Sequence, residues 1–180
     1  IANGSNSAVV SGRVNSTNDL TVAAVENNRT VSDADSFSAS LITGSGLNSR
    51  TIANPLVGAS ISSQVDAAGN IDVTAGADLT TLATGTTIGV SLVTFGEATI
   101  DADSAPTVRS ELTGGAKLTT DGDVSVTAQH TLGPDTVGQP AVTGTAAILG
   151  LLGSGTGMTL NADSDPQVYA LVGDGAEVIE

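Results

Sequence analysis

Cysteine and tryptophan are missing from this chain, and aromatic side chains make up only 2% of it: Phe37, Phe95 and Tyr169. Without cysteine there is no disulfide framework and no thiolate for a transition metal, while the redox compartment stays open. With so few aromatics, 180 residues do not build the large mixed core of an ordinary globular domain. Cations are nearly as scarce. Arg13, Arg29, Arg50, Arg109 and Lys117 stand against 19 acids, for a net charge of −14. Nucleic acid requires clustered cations that displace counterions, so no nucleic-acid partner is expected, nor attraction to anionic lipid, on the same ground. The acids suit solubility, or divalent cations. No basic segment followed by an apolar one opens the sequence, so a secretory leader is expected to have been removed or to lie elsewhere.

Good helix formers are also few, and no 3.6-residue apolar stripe survives the 22 glycines. What the chain has is short runs of Val, Ile, Leu, Ala and Thr, broken by Gly, Asn, Asp and Pro. Leu20–Ala24, Ile71–Ala75 and Val124–Ala128 alternate apolar with polar, as half-buried strands do. Further strands are expected at Ile88–Thr94, Ala98–Ala102, Val108–Leu112 and Ala116–Thr119. The uncharged stretch Ala141–Leu160 is long enough to span a bilayer, but its five glycines make it weakly apolar, so no membrane span is expected.

These runs repeat. Ile1-Ala2-Asn3 returns as Ile52-Ala53-Asn54, and S-L-I-T at 40–43 returns as S-L-V-T at 91–94. N-D-L-T-V-A-A at 18–24 becomes G-N-I-D-V-T-A at 69–75 and G-D-V-S-V-T-A at 122–128, while T-I-D-A-D-S-A-P-T-V at 99–108 becomes T-L-N-A-D-S-D-P-Q-V at 159–168. The units run about 1–51, 52–102 and 103–162, with a partial fourth over 163–180. The third is longer, by residues placed between Gln129 and Ala147. Repeats of this size, with small aliphatics spread evenly, predict one all-β solenoid segment, a right-handed parallel β-helix, over 1–180. Five or six short strands per unit predict two coils of roughly 25 residues or three of roughly 17. At about 4.8 Å per coil the rod is then roughly 35–50 Å long. A string of β-sandwiches is the competing fold, but about 100 residues per sandwich is twice this repeat.

One repeat pattern stands as V-R-S-E-L-T-G-G-A-K-L-T-T-D-G-D-V-S-V-T-A at 108–128 and returns as V-Y-A-L-V-G-D-G-A-E-V at 168–178. It resembles repeats of very large secreted bacterial proteins, the filamentous-haemagglutinin-like and leukotoxin-type filamentous adhesins. The resemblance covers nearly the whole chain from Asn18 onward, including the Gly- and Ala-rich stretches 85–102 and 144–162. It implies a β-helical fibre at the cell surface or released from it, with no catalytic residues in the repeats. The pattern's Gly-Gly-Ala is missing after Val57, where Ala59–Val65 reads A-S-I-S-S-Q-V, which leaves the shape of that turn open.

Residues capable of chemistry are sparse. His130 is the only histidine, expected as a solvated residue beside the inserted loop. Asp101-x-Asp103-Ser104 and Asn161-x-Asp163-Ser164-Asp165 are equivalent positions of successive units, so Asp101, Asp103, Asp163 and Asp165 are candidate Ca²⁺ ligands, with local turn formation as the competing role. The similar D-A-D-S at 33–36 is out of register. A β-helical polysaccharide-degrading enzyme would draw on Arg109, Lys117 and Glu111, with Asp101 and Asp103 as a carboxylate pair. Gly114, Gly115 and Gly175 are expected at turns with positive φ. The threonines are too irregular for an ice-binding ladder. The expectation is therefore a non-enzymatic segment of an extracellular bacterial filament, stacked on other repeats of the same protein or on further copies. The alternative is an adhesin stalk that meets a host or glycan ligand.

Overall fold

The computed structural model describes residues 1, 3–132 and 140–179. It is all-β: β1 (Ser5–Val10), β2 (Val14–Ser16), β3 (Leu20–Ala53), β4 (Leu56–Ile61), β5 (Gln64–Ala67), β6 (Ile71–Ser104), β7 (Thr107–Leu112), β8 (Lys117–Thr120), β9 (Val124–Leu132), β10 (Ala141–Ser164), β11 (Gln167–Val172) and β12 (Glu177–Ile179). Among the described residues every pairing is parallel, and three sheets result. The first is β1-β4-β7-β11 and the second β2-β5-β8-β12; the third stacks β3 on β6, and β6 on β9 and β10. This is a parallel β-solenoid, as the repeats predict.

The coil is longer than the sequence suggests. Ser5 lies beside Leu56, Val14 beside Val65 and Leu20 beside Ile71, so one whole 51-residue unit makes one coil. The expected two or three coils per unit are incorrect. Three to four layers at about 4.8 Å span about 15 Å, not roughly 35–50 Å. The reason lies in β6 and its equivalents, which run unbroken through residues that read as turns.

Each long strand leaves the body of the coil and doubles back. In β6 the odd residues from Ile71 to Ser91 face inward, and from Thr94 to Ser104 the even ones do. The phase changes at a reversal clamped by side chains: Ser91 Oγ bonds Thr94 Oγ1 at 2.5 Å, and Ser40 Oγ bonds Thr43 Oγ1 at 2.6 Å one coil earlier. Ser32 and Ser49, on opposite walls, meet at 2.8 Å. The result is a flat two-walled fin projecting from a three-sided body. Small residues let the walls approach. A Cβ on Gly85 would fall 2.7 Å from Leu47 and 2.8 Å from Ile100.

The body holds the main core, where Val57, Ile61, Val65, Ile71, Val73, Val108, Leu112 and Leu118 are fully buried. The aliphatics align in columns along the stack, such as Val10–Ile61–Leu112–Val172. A second, smaller cluster of Ala83, Ile100 and Ala102 lies within the fin.

Changes of register mark where residues are added. Ile61 pairs with Leu112, 51 apart, but Gln64 pairs with Lys117, 53 apart. The two extra residues enter at the corner 113–116, where Gly115 has φ 88°, as does Gly175 (φ 78°) one coil on. The second coil turns this corner with Ser62-Ser63 alone, which answers the missing Gly-Gly-Ala. Gly114 has no positive φ. It is glycine because a Cβ would lie 2.8 Å from the Asp174 carbonyl of the next coil. The third unit lengthens between Leu132 and Ala141, where the offset from β6 rises from 53 to 59, and by one bulged residue between Gly150 and Gly153. The expected insertion, between Gln129 and Ala147, thus brackets this jump, but its residues 133–139 lie outside the described part.

Candidate functional site

Three features merit consideration as sites: the aspartates ahead of the proline corner, the scattered cations, and the edge of the fin. The aspartates lie on the outward row of the returning wall. Asp103 pairs in register with Asp163, but Asp101 stands between Arg50 and Asn161, and Asn161 Nδ2 donates to Asp101 Oδ1 at 2.7 Å. Asp165 belongs to the next corner, in line with Ala105 and Asn54, and its N–H donates to the Ser104 carbonyl. The structure therefore brings together only Asp103 and Asp163 of the four candidate ligands. Two carboxylates supply few of the six to eight oxygens that Ca²⁺ takes. Among the described residues, no group of three or more acidic or histidine side chains is arranged around a metal position.

The corners explain why the motifs repeat. Asp19 Oδ1 accepts the Asn70 N–H at 2.7 Å, and Asn70 Oδ1 accepts the Asp123 N–H at 2.9 Å. Each side chain caps the corner of the coil below it. Asn54 Oδ1 does the same for the Ala105 N–H at 3.1 Å. The recurring G-N/D-[IV] is thus an inter-coil hydrogen-bond ladder. Pro55, Pro106 and Pro166 follow the other corner, where a missing N–H leaves no ladder bond unmade.

The cations are mostly occupied. Arg13 reaches Asp66 of the next coil at 2.9 Å, Arg109 binds Glu111 at 2.7 Å, and Lys117 reaches Glu177 at 3.1 Å. The Arg13 guanidinium, hydrogen-bonded to Asp66, holds that carboxyl below the usual carboxylate range. Such exposed pairs add little, because water screens them and two side chains must be held in one geometry. Arg109 and Lys117 are thus committed to different acids in place of one shared cluster. His130 is not a solvated loop residue. It lies on the inner row of β9 in register with Ala77, with Nδ1 3.1 Å from the Ala77 carbonyl and Nε2 buried without a partner among the described residues.

The fin edge was not foreseen as a site. At the reversal each coil presents two adjacent apolar residues: Leu41-Ile42, Leu92-Val93 and Leu151-Leu152. Behind them on the outward rows stand Phe37, Ile88, Val90 and Phe95, all exposed. The sequence marks it as S-L-I-T at 40–43 and S-L-V-T at 91–94. The Ser and Thr clamp the turn and the pair between them is thrown outward.

The uncharged stretch 141–160 is strand within β10, and no helix of the described residues is long and apolar enough to cross a membrane. Comparison of the chain with protein-family models, with curated proteins and with solved structures finds no match.

Proposed function

We propose that this chain is a stiff structural segment of an extracellular bacterial filament or surface fibre, acting by stacking along its axis and by contacts from its faces. The observation that carries this reading is that three parallel ladders stack the repeats layer on layer, with aliphatic columns such as Val10–Ile61–Leu112–Val172 running along the stack. Beside the last described layer Leu112, Asp123, Val124, Val126, Val172 and Val178 line an open cavity of about 540 Å³. An open parallel edge over an exposed aliphatic interior is a template for the next strand. Further repeats of the same protein, or further copies stacked end to end, fit it. The acidic, Ser- and Thr-rich outer rows suit an exposed hydrated fibre, and the resemblance to filamentous adhesin repeats supports the same location. Calcium held at Asp103 and Asp163 is a subsidiary proposal, to be tested by adding a chelator.

Electron microscopy of the concentrated protein tests the reading. Short rods that lengthen with concentration are expected, and Val172→Lys should stop their growth. Val172 closes the aliphatic column at the lower end and is 64% exposed, so lysine there leaves the fold intact while placing a charge in the contact. Discrete single particles at every concentration, unchanged by the substitution, would contradict the stacking.

A further inference from the structure

The two walls of the fin meet in different ways along their length. Toward the base they meet through hydrocarbon, where Ala83, Ile100 and Ala102 are buried with Val142 packed against them. Toward the tip the inner rows carry hydroxyls and glycines. The clamps Ser40–Thr43 and Ser91–Thr94 fix which residues oppose each other there. Two positions further in, Ser38 lies opposite Ser45 in the first coil, and Gly89 opposite Gly96 in the second.

Direct bonds join the walls of the first coil on either side of that place, Ser40 to Thr43 and Ser32 to Ser49. Ser38 and Ser45 do not bond each other, although both hydroxyl oxygens are buried. Ser45 is only 8% exposed. The middle coil adds a third such group: Thr87 is 1% exposed, and its Oγ1 has no partner among the described residues. A hydroxyl buried without a partner bears its full desolvation cost, and native proteins keep few of them. Three around one place point to something that bonds them.

The register supplies the room. Ser38 is the ladder neighbour of Gly89, and Ser45 that of Gly96, so both walls lack a side chain beside the two serine hydroxyls. Thr87 stands two residues before Gly89 on the same inner row, and Thr156 follows Gly96 in the third coil. A methyl group's space on each wall accommodates a water, whose share of the liquid is roughly 30 Å³. The lining residues are all uncharged. An ion would lose its hydration there and find no opposite charge, and an apolar occupant would leave the hydroxyls unpaired. Water both donates and accepts, and a buried water typically makes about three hydrogen bonds.

We propose that the fin tip is a binding site for a structural water, seated between Gly89 and Gly96 and hydrogen-bonded to Ser38 Oγ, Ser45 Oγ and Thr87 Oγ1. The walls are thus joined dry at the base and through water at the tip.

Magnetic relaxation dispersion of the water signal, which counts long-lived internal waters, tests this on the whole chain beside denaturant unfolding of each variant. The wild type is expected to hold at least one such water. Gly89 is not among the glycines with positive φ, so Gly89→Ala fits the backbone while filling the site, and it should lower the count by one. Ser45→Ala is decisive by its sign. Removing a hydroxyl that binds water should lower the folded-to-unfolded ratio by roughly fivefold, whereas removing a dry, unpartnered one should raise it. A wild type without a long-lived water overturns the proposal, as does a folded Gly89→Ala chain that keeps the full count. So does a Ser45→Ala chain as stable as the wild type or more so. Should Gly89→Ala fail to fold, the wild-type count and the sign for Ser45→Ala decide.

Discussion

Replacing Ile61 by alanine is expected to destabilise the protein by about 2–5 kcal/mol, measured by denaturant unfolding. Ile61 is fully buried in the second coil and sits between Val10 above and Leu112 below in one aliphatic column. A cavity is costly in proportion to how little its walls collapse, and here they are pinned. Each neighbour belongs to a parallel ladder that fixes its height along the stack, and corner bonds such as Ser62 N–H to the Val10 carbonyl fix its lateral position. Side chains this small have no long arm to swing into the gap.

Gly122→Ala should cost a comparable amount, about 1–3 kcal/mol, for the opposite reason. Its φ is not positive, so conformational freedom is not the issue. A Cβ there would lie 2.9 Å from the Asn70 backbone nitrogen and 3.0 Å from the Gly69 carbonyl carbon of the coil above. Backbone cannot give way as a flexible side chain can. The methyl group therefore pushes apart two coils at the corner where Asp123 N–H meets Asn70 Oδ1 and Ile71 N–H meets the Asp123 carbonyl. A lowered melting temperature with faster amide exchange at Ile71 and Asp123 is the expected signature. Gly12, whose added Cβ meets nothing, should accept alanine with little change.

The strands and their parallel stacking were legible because the body follows strict alternation: Ile71, Val73 and Ala75 inward, Asp72 and Thr74 outward. The fin was not, because its inner row reads Thr81, Ala83, Gly85, Thr87, Gly89, Ser91. Gly and Ser in sequence signal a break. Here they are buried because the two walls are close, and a continuous strand was cut into short ones, which produced the wrong number of coils. His130 was misread likewise: a lone histidine beside an insertion looks solvated, but its even position in β9 places it inward. The aspartates were correctly matched between units. The match of Asp101 with Asn161 was legible too; what the sequence concealed was that Asp165 has turned the corner.

The absence of cysteine makes the central claim, one coil per 51-residue unit, directly measurable. Thr21 and Asp72 are ladder neighbours on the outer row of the third sheet. Their Cα atoms are therefore about 4.8 Å apart, inside the ~4.4–6.8 Å that a disulfide spans. In the Thr21→Cys/Asp72→Cys protein, mild oxidation should form the intramolecular disulfide nearly completely, and the cross-link should raise the melting temperature. With two coils per unit the same residues would be about 9.6 Å apart, and the thiols would stay free under native conditions. Free thiols in the folded protein would contradict the architecture described.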